Sequence, residues 1–229
     1  MGSNDPSNAG RRRAKKDPSN EADLADSIDC NIVLVGLMGA GKSCIGRRLA
    51  QRLGLPFKDA DQEIEEAAGC TIEEIFENHG EAYFRNGERR VIERLLCEKP
   101  QVIATGGGAY LDERTRAAIR ENGVALWLRA DLPLMVKRTA RRENRPLLKQ
   151  GNPKVILQKL IEERYPVYDK ADLAVDSVDG PPEVTLQRTL DALESFFSEF
   201  PERLHGQRTD ANASDESDYS EKQGDFAQQ

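Results

Sequence analysis

Gly36-Leu37-Met38-Gly39-Ala40-Gly41-Lys42-Ser43 has the Gly-x-x-x-x-Gly-Lys-Ser spacing of a complete phosphate-binding loop. It follows Asn31-Ile32-Val33-Leu34-Val35, an apolar, β-branched run that reads as a buried strand. It opens into Ile45 to Leu53, where apolar residues recur at helical spacing. Strand, glycine loop and helix in that order are the context the motif needs. The glycines let backbone N–H groups turn inward around a polyphosphate, and the helix N-terminus adds partial positive charge. Lys42 is placed to reach the β- and γ-phosphates, and the Ser43 hydroxyl to ligate Mg²⁺.

Working outward, strands and helices alternate. Leu55 to Asp59 reads as a short strand, Asp61 to Ala68 and Thr71 to Asn78 as short helices, and Tyr83 to Leu96 as a longer one. Strands at Gln101–Ala104, Val124–Leu128 and Ala171–Asp176 are interleaved with helices at Asp112–Glu121, Leu132–Arg141, Val155–Arg164 and Pro182–Phe200. This alternation predicts an α/β fold, a parallel sheet wrapped by helices, with ligands at the carboxyl ends of the strands. Residues 1–28 and 201–229 are polar and lack apolar periodicity, so they read as disordered tails, the second acidic, around a domain at 29–200.

The 229 residues carry a net charge of -7, which disfavours nucleic acid as a partner. Cys30, Cys44, Cys70 and Cys97 are scattered, which argues against a disulfide framework or zinc ribbon, and the chain holds only two histidines. No apolar run reaches membrane-spanning length, and the expected location is the cytoplasm.

The polar residues near the strand ends carry the chemistry. In Asp59-Ala60-Asp61 one carboxylate suits a metal-bound water and the other a hydroxyl proton, while Asp61 also reads as a helix N-cap. Arg85 and Glu88, three apart on a helix, form either a surface ion pair or a carboxylate clamp with its orienting acid. Thr105-Gly106-Gly107-Gly108 ends a strand, either as a flexible turn or as backbone open to a ligand. Arg138 to Arg145 is basic, either a solvated face or a loop that closes over phosphates and excludes water. Arg164 reads as a helix C-terminal cation or a second clamp.

Together with Ile75-Phe76, Phe84-Arg85-x-x-Glu88, Arg145-Pro-Leu-Leu and Glu163-Arg164-Tyr165-Pro166-x-Tyr168, these stretches resemble shikimate kinase, over about residues 31–197. The resemblance implies a three-layer α/β/α fold, a five-stranded parallel sheet of order 2-3-1-4-5 and a lid at about 141–153. It implies transfer of the ATP γ-phosphate to the 3-hydroxyl of shikimate, in aromatic amino-acid biosynthesis. Lys42, Asp61 and Arg145 resemble the catalytic residues; Gly39, Ala40, Gly41, Lys42, Ser43, Cys44, Arg138, Arg145 and Pro181 the ATP site. Asp61, Arg85, Glu88, Arg164, Phe76, Phe84, Gly106, Gly107 and Gly108 resemble the shikimate pocket. Mg²⁺ is expected on Ser43 and, through water, Asp59, and the chain is expected to be a monomer. Cys44 departs from the family, which usually has Thr there, and puts a thiol beside ATP. The rival readings are a gluconate kinase of the same architecture and a nucleotide-binding regulator without catalysis. Neither membrane nor nucleic acid is expected as a partner.

Overall fold

The computed structural model describes residues 27–140 and 151–205. Five parallel strands form one sheet in the order β2-β3-β1-β4-β5. β1 (Asn31–Val35) lies at its centre and is buried along its whole length. β4 (Gly123–Arg129) is buried up to its last residue. Strands covered on both faces must be apolar throughout, which is why Ile32-Val33-Leu34-Val35 shows no alternation. Each such fully buried aliphatic side chain contributes about 1.5–3 kcal/mol relative to exposure.

α1 (Lys42–Leu53) packs so tightly on the sheet that a Cβ at Gly46 would lie 2.6 Å from the Phe57 ring and 2.8 Å from Leu34. β2 (Phe57–Asp59) runs straight into α2 (Ala60–Ala68), whose N-cap is Asp59: its carboxylate accepts from the Asp61 N–H at 3.3 Å. Asp61 is therefore the second residue of the helix, and the N-cap reading of it is corrected. α3 (Ile72–Cys97) starts at a capping box between Thr71 and Glu74. It contains both predicted helices, and the break between them is a single non-helical residue, Gly80 (φ 80°, ψ 178°).

β3 (Val102–Ala104) ends in the triple glycine, followed by a 3₁₀ turn at Ala109–Leu111 and by α4 (Glu113–Asn122). After β4 come α5 (Leu132–Thr139) and α6 (Pro153–Tyr168). α6 continues four residues beyond Arg164 with Pro166 inside it, so Arg164 is not a helix-terminal cation. β5 (Leu173–Asp176) and α7 (Pro182–Glu199) complete the layers.

The folded body extends past the predicted limits at both ends. Ile28 is buried in the core. Residues Pro201–His205 form a 3₁₀ turn, in which Leu204 accepts from the Asp29 N–H at 2.8 Å. Arg203 reaches Asp172 at 3.1 Å and the Gly123 carbonyl at 3.0 Å. Among the described residues no helix is long and apolar enough to cross a membrane.

Candidate active site

The phosphate loop leaves β1 through Gly36, Gly39 and Gly41, at φ 134°, 85° and 104°. L side chains rarely adopt such angles, which accounts for glycine at all three positions. The loop is further pinned from α5. Arg138 donates through Nη1 to the carbonyls of Gly39 (3.2 Å) and Ala40 (3.0 Å) and to Ser177 Oγ (2.8 Å), and through Nη2 to the Val178 carbonyl (2.8 Å). Arg138 thus joins the loop to the segment between β5 and α7, where Pro181 is the exposed N-cap residue. A cleft of about 430 Å³ lies beside this junction, lined by Leu134, Lys137, Val178 and Asp179 among others. Sequence reasoning missed Ser177 and Val178, since nothing local distinguishes them from other turn residues.

Lys42 donates to the carbonyls of Gly36 (2.7 Å) and Leu37 (3.2 Å), inside its own loop. Ser43 donates to Asp59 Oδ2 at 2.7 Å, joining the start of α1 to the end of β2. Among the described residues no group of three or more His, Cys, Asp or Glu could hold a metal ion. A hard cation at Ser43 and Asp59 would therefore complete its oxygen shell with phosphate and water. Cys44 is half-buried, and its Sγ accepts from Arg48 Nη1 at 3.2 Å.

The triple glycine meets the other predicted residues in turn. A Cβ at Gly106 would lie 2.6 Å from Glu88 Oε1 and 2.9 Å from Asp61 Oδ1. One at Gly108 would lie 2.5 Å from the Arg85 guanidinium. The Gly107 carbonyl accepts from Arg164 Nη1 at 2.9 Å and also from the Tyr168 hydroxyl. Arg85 is paired with Glu88 at 2.6 Å and with Glu81 at 3.3 Å. It also lies 5.0 Å from the centroid of the buried Phe84 ring, itself 4.7 Å from the more exposed Phe76. The Arg85–Glu88 pair is thus partly buried rather than lying on an open surface, since the Glu88 side chain is only 3% exposed.

Burial holds the Glu88 carboxyl above its ordinary range, opposed by Arg85 and reinforced by the nearby charge of Asp61. Burial pulls the Arg85 guanidinium down, but Glu88 and Glu81 outweigh it and hold Arg85 above its ordinary value. Glu88 Oε1 is buried without a hydrogen-bond partner, on the side that faces Gly106. Asp61 itself is exposed. Of the predicted residues, Arg145 lies outside the described residues, as do Arg141 and Arg142.

The arrangement supplies a phosphate cradle with a cation position at one end, a carboxylate next to it, and two guanidiniums beyond, linked by one glycine turn. The shikimate kinase family profile matches residues 38–194. A shikimate kinase of Paramagnetospirillum magneticum is 55% identical over 174 residues, covering 76% of this chain and 89% of its own. One of Rhodopseudomonas palustris is 50% identical over 182 residues, covering 79% and 90%. The structure of shikimate kinase from Acinetobacter baumannii in complex with shikimate superposes with a TM-score of 0.70 at 40% identity, covering 73% of this chain and 94% of that one. The chain belongs to the shikimate kinase family, ATP-dependent kinases that phosphorylate shikimate.

Proposed function

We propose that Asp61, Arg85, Arg164 and the Gly106–Gly108 turn bind shikimate, and that the loop from Gly39 to Cys44 presents the ATP γ-phosphate to its 3-hydroxyl. The observation that carries this reading is the glycine turn, which touches Asp61 and Glu88 at Gly106, Arg164 at Gly107 and Arg85 at Gly108. A small hydroxy acid has a carboxylate at one end and hydroxyls at the other, and this turn is flanked by matching groups in that order.

Arg85 and Arg164 hold the carboxylate, so binding energy far from the reacting oxygen fixes its orientation. Glu88 orients Arg85, and Phe84 and Phe76 line the ring side. Asp61 accepts the proton of the attacking hydroxyl. Lys42 leaves its loop carbonyls to neutralise charge on the transferring group, aided by the backbone N–H groups at the start of α1. Arg138 holds the loop to the segment that flanks the adenine, near Pro181. Arg145 is assigned to the lid by sequence.

Ser43 and Asp59 fit Mg²⁺, both being oxygen donors within 2.7 Å of each other. Held there by Ser43 and, through water, by Asp59, the cation would offset the negative charge of the phosphates. We further take the protein to be a monomeric cytoplasmic enzyme, to be checked by light scattering and cell fractionation.

The test is ADP release with MgATP, with and without shikimate, with gluconate as control. Stimulation by shikimate alone is expected. Stimulation by gluconate instead, or by neither with ATP still bound, would overturn the assignment.

A further inference from the structure

Tyr168 stood in the sequence as part of a motif without a role. Its side chain is fully buried, with its ring centroid 5.9 Å from Trp127, 6.3 Å from Tyr165 and 6.4 Å from Tyr110. A buried tyrosine hydroxyl needs a polar partner. This one donates to the Gly107 carbonyl, the same oxygen that takes Arg164 Nη1 at 2.9 Å. Arg164 and Tyr168 are four apart on α6, so they share one helical face and reach the turn together.

The two guanidiniums of the pocket are held differently. Arg85 is fixed by the carboxylates of Glu81 and Glu88. Arg164 is fixed by a hydrogen bond to the Gly107 carbonyl, whose orientation the tyrosine sets. A trans peptide is planar, so fixing the Gly107 carbonyl also fixes the Gly108 N–H on its opposite edge. Burial pushes the Tyr168 phenol up to about 12, with Arg164 pulling the other way, so the hydroxyl stays a donor at working pH.

We propose that Tyr168 is a positioning residue for the substrate: its hydroxyl locks the Gly107 peptide, and through it Arg164, in the orientation that meets the shikimate carboxylate. This rests on the carboxylate-clamp reading above. Without the hydroxyl, Arg164 keeps its carbonyl partner but loses the group that fixes the angle between them. Part of the side-chain entropy must then be lost on binding.

The experiment is calorimetric titration, without nucleotide, of shikimate and of its carboxylate methyl ester. The proteins are wild type, Tyr168→Phe, Arg164→Ala and the double variant. Phenylalanine keeps every ring contact, so Tm should move by only a few degrees. Tyr165→Phe, whose hydroxyl meets the Ala130 carbonyl instead, is a control expected to bind as wild type does. Tyr168→Phe should weaken shikimate roughly tenfold, the scale of one hydrogen bond acting on a charged group. It should leave the ester unchanged and add nothing in the Arg164→Ala background. Equal weakening of both ligands, or the same loss without Arg164, would reduce Tyr168 to a packing role and overturn the proposal. Wild type that binds shikimate and ester alike would overturn the clamp reading itself, and this inference with it.

Discussion

The Ser43 hydroxyl donates to Asp59 Oδ2 at 2.7 Å while Oδ1 of the same carboxylate caps α2 through the Asp61 N–H. One side chain thus joins the hydroxyl proposed to hold Mg²⁺ to the helix that carries Asp61. Asparagine is an equally good N-cap but has no charge. Asp59→Asn should leave Tm nearly unchanged and raise the Mg²⁺ concentration for half-maximal activity by about 10–100-fold, as for other groups that orient metal ligands. An Mg²⁺ titration of the initial rate decides this; an unshifted curve removes Asp59 from the metal site.

Gly106 and Gly108 should fail in different ways. Alanine at Gly106 pushes into Glu88 and Asp61 together, and Glu88 is buried. That overpacking should cost roughly 1–3 kcal/mol of stability. Displacing Asp61 should lower kcat about a hundredfold. Alanine at Gly108 meets only the guanidinium end of Arg85. Displacing it strains the pair with the buried Glu88, so some stability is lost, but Asp61 is untouched: KM for shikimate should rise, while kcat and KM for ATP hold. Steady-state kinetics in both substrates separates the two cases, and identical profiles would contradict them.

Glu88 predicts a slope in the stability–pH curve. Its folded value lies above the ordinary 4.5 because it is buried, with Arg85 and Arg164 opposing and Asp61 adding to the shift. The folded state therefore binds the proton more tightly than the unfolded chain does. That contribution is complete below pH 4.5 and is lost as pH rises through the folded value. Asp176, held below its ordinary 3.8 by hydrogen bonds from Arg129, acts in the opposite sense and at lower pH. Melting curves of wild type and Glu88→Gln should converge in shape at low pH and separate above pH 4.5, with only the wild type losing the Glu88 increment. Parallel curves across that range would count against a raised Glu88.

Alkylation should report on Cys44. Burial pushes the Cys30 thiol up to about 12, so it should stay inert, whereas Cys44 is half-buried at the phosphate cradle. Iodoacetamide should inactivate the enzyme, MgATP should slow this in proportion to its occupancy, and Cys44→Thr should resist. Equal inactivation of the Thr variant would place the sensitive thiol elsewhere.

Truncation locates the true domain limits. Removing residues 1–26 and 206–229 should leave turnover and Tm near normal. Cutting further, to residue 200, removes the Arg203 bonds to Asp172 and Gly123 and the Leu204 bond to Asp29. That should cost about 1–2 kcal/mol and lower Tm by roughly 2–8 °C. A tail deletion that already destabilises would show that the tails dock.

The order of strands and helices, the phosphate loop and the list of polar residues were legible in the chain, because each rests on local physics. Buried parallel strands must be continuously apolar, and loops that wrap phosphate need glycine at positive φ, as at Gly36, Gly39 and Gly41. The ambiguities left in the sequence were those of partnership. Asp61 fitted a helix N-cap, Arg85 and Glu88 fitted a surface pair, and Arg164 fitted a helix end. Tertiary structure resolved them by bringing the end of β3 between α2, α3 and α6, where Gly106, Gly107 and Gly108 each meet a different side chain. Those contacts span up to 57 residues of chain, so no local period or motif encodes them. The same holds for Ser177 on Arg138, 39 residues apart, and for the Tyr168 hydroxyl on Gly107, 61 apart. The sequence determined which chemistry was present; the packing of helices on the sheet decided which groups hold one another in place, because side-chain orientation in a close-packed interior is set by neighbours distant in the chain.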